Sequence, residues 1–168
     1  FRRATLDGSR LSNTQFEGSR FERASLLNVN LSGASLSDTH LTGAPFGVAT
    51  ATGTNFSRAR ASGTDFSGAN LTGAIFEGAI LREAQFNNAI LNGTSFANAD
   101  LHGARLTNIR LINVSFEGAT GLESTIFEGS CAGEKTNVPA GIALLSCQAV
   151  RLPGHEELRG GLIQTAGQ

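Results

Sequence analysis

The chain has 168 residues, a formal net charge of −1, 40% apolar residues and only 16% charged ones. That length suits one ordinary domain, and the weak charge argues against a general attraction to nucleic acid or anionic membrane. No apolar run approaches the roughly 20 residues that cross a bilayer, so a soluble chain without a transmembrane segment is expected. There are 21 Gly and 11 Phe but no Trp, Tyr or Met, the bias left when one short pattern is copied many times. With Phe at residue 1, the expectation is a targeting segment removed from its N-terminal side, or a further stretch of protein there.

The pattern has a period of five. Reading every fifth residue from Phe1 to Phe116 gives 24 positions, of which 22 are Leu or Phe and two, Ala51 and Ala61, are Ala. Two residues before each next Leu or Phe runs a second column, from Ala4 to Ala119. It holds 14 Ala, five Thr, two Ser and the larger Val29, Ile109 and Val114. Residues two apart on an extended backbone point the same way, so both columns are predicted to face inward. The position two after each central residue holds 12 Gly and six Asn, including Gly33, Gly63, Gly73, Asn88 and Asn98. These residues accept positive φ most easily and mark corners. A period of five matches neither a helix nor a simple strand; it matches a short side, a corner and the next side.

This pattern resembles that of the pentapeptide-repeat family, whose motif is A(D/N)LXX. Close matches are Ala69-Asn70-Leu71-Thr72-Gly73 and Ala99-Asp100-Leu101-His102-Gly103. The resemblance implies an all-β solenoid, a right-handed quadrilateral β-helix with four pentapeptides per 20-residue coil. Sorting the central column by steps of 20 supports that coil length. One face reads Phe16, Leu36, Phe56, Phe76, Phe96 and Phe116, whereas another, Leu11 to Leu111, has no Phe. Stacked rings at sheet spacing would explain the sorting, and about six coils would make a rod about 29 Å long. At Ala51 and Ala61 the neighbouring Phe46, Phe56 and Phe66 are expected to fill the missing volume rather than leave a ligand cavity. Pro45 and Gly47 mark a local irregularity.

The register slips by one residue at Thr120-Gly121, and Leu122 and Phe127 open a partial coil. Beyond about Ser130 the repeat ends, giving a division into a ladder, 1–130, and a C-terminal cap and tail, 131–168. A solenoid end needs covering. The run from Val138 to Leu145 reads as a short helix with Pro139 near its start. A second helical turn is expected near Gly154-His155-Glu156-Glu157-Leu158, followed by a Gly-rich tail from Gly160 that is loosely ordered or wraps a partner.

Cys131 and Cys147 bracket the first cap segment. Three readings stand: a disulfide, two buried free thiols, or metal ligation with His155. A disulfide implies an oxidising compartment, which would be the thylakoid lumen, the periplasm or the exterior of the cell. The arrangement of a repeat ladder and a Cys-clasped cap resembles family members of the thylakoid lumen.

No catalytic constellation or phosphate loop stands out, and neither a cofactor nor a metal site is expected. His40 and His102 occupy outward columns, and Asp65, Glu77 and Asp100 read as solvated. One face carries Arg2, Arg3, Arg20, Arg23, His40, Arg60, Arg82 and His102 against Glu22, Glu83 and Asp100. Its neighbour carries Glu17, Asp38, Glu77 and Glu117 against Arg58. The basic side is either a solvated charge mixture or a docking face for a complementary protein surface. Ile75 and Ile80 form a candidate apolar contact, while Leu27, Ile90 and Ile112 are scattered outward apolar residues. The expected function is therefore non-enzymatic: a rigid rod docking onto a larger protein assembly. A photosynthetic membrane complex on its lumenal side, with the chain as a peripheral accessory subunit, is the host implied by the lumen resemblance. The alternative known in the family is a DNA-mimicking inhibitor of topoisomerase (gyrase). A mimic needs a strongly acidic rod, whereas residues 1–121 carry ten Arg against nine Asp and Glu.

Overall fold

A computed structural model describes residues 1–147. The second predicted helical turn, His155 and the Gly-rich tail lie outside these residues. The chain winds as a four-sided β-solenoid in which residue i bridges residue i+20 in parallel, from Thr5↔Ser25 to Asp100↔Thr120. Each bridge is flanked by inter-coil backbone bonds; the Leu6 N–H donates to the Ser25 carbonyl at 2.8 Å, and the Ser25 N–H to that of Ala4 at 2.8 Å.

Corners repeat with the same economy. The small residue's N–H donates to the carbonyl of the central residue three before it, as from Ala24 to Phe21 at 2.8 Å. Such a turn requires positive φ at its third residue. Every residue of that column from Arg3 to Gly118, glycine or not, has φ between +54° and +69°. Val48, at +57°, is the β-branched exception, held where a branched Cβ is least tolerated. Its side chain is exposed, so no core packing compensates. Val48→Asn is expected to raise stability by about 1 kcal/mol, read from the denaturant midpoint.

Both inward columns form one continuous core, with central residues from Phe21 to Phe116 buried. Phe56 and Phe76 stack at 4.7 Å and 3°, Phe76 and Phe96 at 5.3 Å and 10°, and Phe96 and Phe116 at 5.5 Å and 7°. A second stack, Phe46, Phe66 and Phe86, meets the first edge to face, as where Phe66 meets Phe76 at 5.5 Å and 78°. Ala51 and Ala61 are fully buried in the same core beside these rings. Where Thr replaces Ala in the small column, its hydroxyl is satisfied internally. Thr54, Thr64 and Thr94 donate to the carbonyls of Leu31, Leu41 and Leu71 at 2.8, 2.8 and 2.9 Å, which removes the cost of burying a bare hydroxyl.

The slip at Gly121 is seen as a change of bridge spacing, from Asp100↔Thr120 to Arg105↔Ile126. Only glycine suits the added residue: φ is +79°, and a Cβ there would press on the His102 backbone. The coil does not stop at Ser130, as the loss of the sequence repeat suggests. Thr125, Ser130 and Thr136 continue the small column, donating hydroxyls to the carbonyls of Leu101, Leu106 and Leu111 at 2.9, 2.7 and 2.6 Å. Strands β1 (Arg110–Leu111), β2 (Cys131–Ala132) and β3 (Leu145–Ser146) form a parallel sheet in that order.

The helix expected from Val138 to Leu145 is not formed. Pro139 to Ile142 makes a turn closed by the Ile142 N–H on the Pro139 carbonyl at 3.3 Å, with Gly141 at φ +93°. That left-handed glycine breaks any helix begun at Pro139, and Leu145 instead starts β3, paired to Cys131. A disulfide joins Cys131 to Cys147, with both residues buried.

Candidate functional site

The outward columns inherit their order from the coil: whatever the sequence places 20 residues apart lies side by side. Arg20 bridges His40, His40 bridges Arg60, Arg60 bridges Ile80, and Ile80 bridges Asp100. One column thus runs from cation through an apolar residue to an anion. At coil spacing of about 4.8 Å, Arg20, Arg60 and Asp100 stand about 10 Å apart, with His40 and Ile80 between them.

Ion pairing divides the predicted basic face into two halves. In the C-terminal half Arg82 Nε donates to Asp100 at 2.6 Å, and His102 contacts Asp100 at 2.6 Å and Glu123 at 3.5 Å. With Glu83 nearby, this half is not basic. Burial disfavours the Asp100 carboxylate, but bonds from His102 and Arg82 outweigh it and hold its pKa below the usual range. The N-terminal half sets Arg2, Arg3, Arg20, Arg23 and Arg60 against Glu22 alone. Arg20 donates to Glu22 through Nε and Nη2 at 2.9 and 2.6 Å, which lowers the pKa of that carboxyl. His40 Nδ1 lies 3.8 Å from the same oxygen. The second Glu22 oxygen is buried without a donor among the described residues. Arg2, Arg3, Glu22 and Arg23 line an open depression. Among the described residues Arg2, Arg3, Arg23 and Arg60 form no ion pair.

The neighbouring face is less acidic than its residue types suggest, because Arg58 makes two bonds to Asp38 at 2.9 and 2.7 Å. Those bonds lower the Asp38 pKa below its ordinary 3.8. The pair's contribution is full above the unfolded carboxyl pKa and vanishes as pH falls through the lowered folded value. Arg58→Ala should raise the Asp38 titration midpoint in an NMR pH series while leaving stability near neutral pH almost unchanged, since surface pairs contribute little. Ile75 and Ile80 are 40% and 39% exposed, but Ile75 sits between Asn55 and Ser95 rather than beside Ile80. Only Ile80 joins the charged column. Leu27 and Ile90 are exposed singly.

Both cysteines are consumed by the disulfide, and among the described residues no three His, Cys, Asp or Glu side chains come together as a metal site. No described helix is long and apolar enough to cross a membrane.

A continuous core wrapped in a regular outer lattice defines a solenoid built from one short repeated unit. The family model described as pentapeptide repeats (8 copies) matches three times, at residues 1–38, 39–78 and 79–118, and the chain belongs to that family. Its fold is accordingly the right-handed quadrilateral β-helix, and its members are generally structural or interaction proteins rather than enzymes. Among solved structures, a pentapeptide repeat protein from the cyanobacterium Cyanothece 51142 is similar at 21% identity and TM-score 0.48, covering 79% of this chain and 89% of that one. A second, from Nostoc sp. strain PCC 7120 and involved in heterocyst differentiation regulation, shows 19% identity and TM-score 0.34 over 77% and 87% of the two chains. A third, from the Arabidopsis thaliana thylakoid lumen, shows 30% identity and TM-score 0.30 over 58% and 68%. No curated protein matches the chain.

Proposed function

We propose that the chain is a rigid, non-enzymatic docking rod that binds a larger protein assembly through the N-terminal half of its basic face. The repeat ladder of about six coils, residues 1–130, is the docking body, and 131–168, whose first residues still pair with the last coil, is its cap and tail. The observation that carries this reading is the strip of Arg2, Arg3, Arg20, Arg23 and Arg60 opposed by Glu22 alone. Their backbones are fixed by the solenoid, so little main-chain entropy is lost on binding. The disulfide supports an oxidising compartment. We place the rod in the thylakoid lumen, peripheral to a photosynthetic membrane complex.

Arg20→Glu/Arg60→Glu reverses two charges of the strip without touching the core. In native-gel fractionation of source membranes, the wild-type chain is expected to migrate with a high-mass complex and the double variant as free protein. Unchanged co-migration would refute the face as the docking surface. The DNA-mimic reading is not adopted, because ten Arg balance nine acidic residues over 1–121.

A further inference from the structure

We propose that His40 makes the Arg20–His40–Arg60 column an acid-strengthened docking site for an acidic protein segment. This rests on the docking reading above and adds its partner chemistry and its regulation.

His40 is the central member of the column, bridged to Arg20 on one side and Arg60 on the other. The charged groups facing it are those two arginines and Glu22, all on adjacent coils, with Arg23 under the corner at Gly43. Glu22 is engaged by Arg20 and lies 3.8 Å from His40, so a single carboxylate faces all three side chains and their sum stays positive. When His40 is neutral, the column is two cations separated by an uncharged ring. Protonation turns it into three adjacent cations on one flat side, the step that histidine takes as pH falls towards mild acidity. Arginine does not titrate in that range, so the change in the column's own charge falls on His40.

The same column indicates which polyanion fits. Beyond Arg60 it continues into Ile80, 39% exposed, and then into Asp100. A short acidic segment with an apolar residue beside its carboxylates matches the cations and the apolar step and ends before Asp100. A long nucleic acid strand meets Asp100, Glu83 and Glu123 as it extends along the face, and the chain's net charge of −1 offers it no long-range attraction.

The test is fluorescence anisotropy with a labelled octa-aspartate peptide at low ionic strength, at about pH 5.5 and about pH 7.5, where the probe stays ionised. Wild type should bind about fivefold tighter at the lower pH, the effect of one added charge at column spacing. His40→Gln should bind equally at both, at the wild-type affinity for the higher pH. Arg60→Glu should weaken binding at both. If Arg60→Glu changes nothing, the docking reading itself fails. If Arg60→Glu weakens binding but His40→Gln keeps the wild-type pH dependence, only the role of His40 fails. Tighter binding of an octathymidine strand than of the peptide would overturn the assignment of a protein partner.

Discussion

Phe76→Ala is expected to cost about 3–5 kcal/mol, the largest loss from any single side chain in the ladder. Phe76 stacks between Phe56 and Phe96 at 4.7 and 5.3 Å and meets Phe66 and Phe86 edge to face at 5.5 and 5.7 Å. All four partners are themselves buried and held by neighbouring coils. The backbone of each coil is tied above and below by bridges, so the walls cannot collapse into the void, and the cavity term is added to the lost transfer energy. Urea unfolding followed by circular dichroism measures the change. Phe76→Leu, which keeps most of the volume and matches the Leu36 already present on that face, should lose much less. A loss below about 1 kcal/mol for the alanine variant would show that the ladder closes up after all.

Reducing the Cys131–Cys147 bond should lower stability by about 3 kcal/mol, as expected for a closed loop of roughly this size. The loss should be local. Among the described residues β3 has β2 as its only partner strand, and Cys147 adds one backbone bond to Ala132 at 2.9 Å. Without the covalent link the end loses its one cross-link, while β3 is only two residues long and Leu145 is already 69% exposed. Thermal scans with and without a thiol reductant should show an earlier transition in the reduced protein. Hydrogen exchange should place the new opening at residues 132–147, with the amides of the central coils unchanged. A uniform loss of protection would instead mean that the bond supports the whole rod.

The ladder was legible because its physics repeats. A Leu or Phe, a small residue and a corner tolerant of positive φ recur so often that the pattern outweighs any one substitution, even Val48. The coil length could be read from where Phe accumulates, since aromatic stacks need a partner 20 residues away. The C-terminal end was less legible for two reasons. Thr125, Ser130 and Thr136 carry on the inward small column, but hydroxyl residues are common and reveal nothing without their carbonyl partners. The segment from Val138 to Leu145 has the apolar density of a helix, and the left-handed turn at Gly141 overrides it.

At the candidate site the sequence placed the charges on the right columns but did not pair them. Which arginines remain unpaired depends on side-chain geometry. Arg82 reaches Asp100 across one coil, whereas Arg60, one coil earlier on the same face, finds Ile80 as its bridge neighbour. That difference confines the basic surface to one half.

The constant reach of the bridges sets how the chain can acquire this structure. From Thr5 to Thr120 nearly every inter-coil pair closes a segment of the same 20-residue length. Each new coil therefore meets the same modest entropic toll as the one before, and none requires distant parts of the chain to find each other. Growth can begin at any pair of neighbouring coils and spread both ways, as in a one-dimensional lattice. The Phe-rich middle is the natural seed, so amide protection should be greatest there and decline towards both ends.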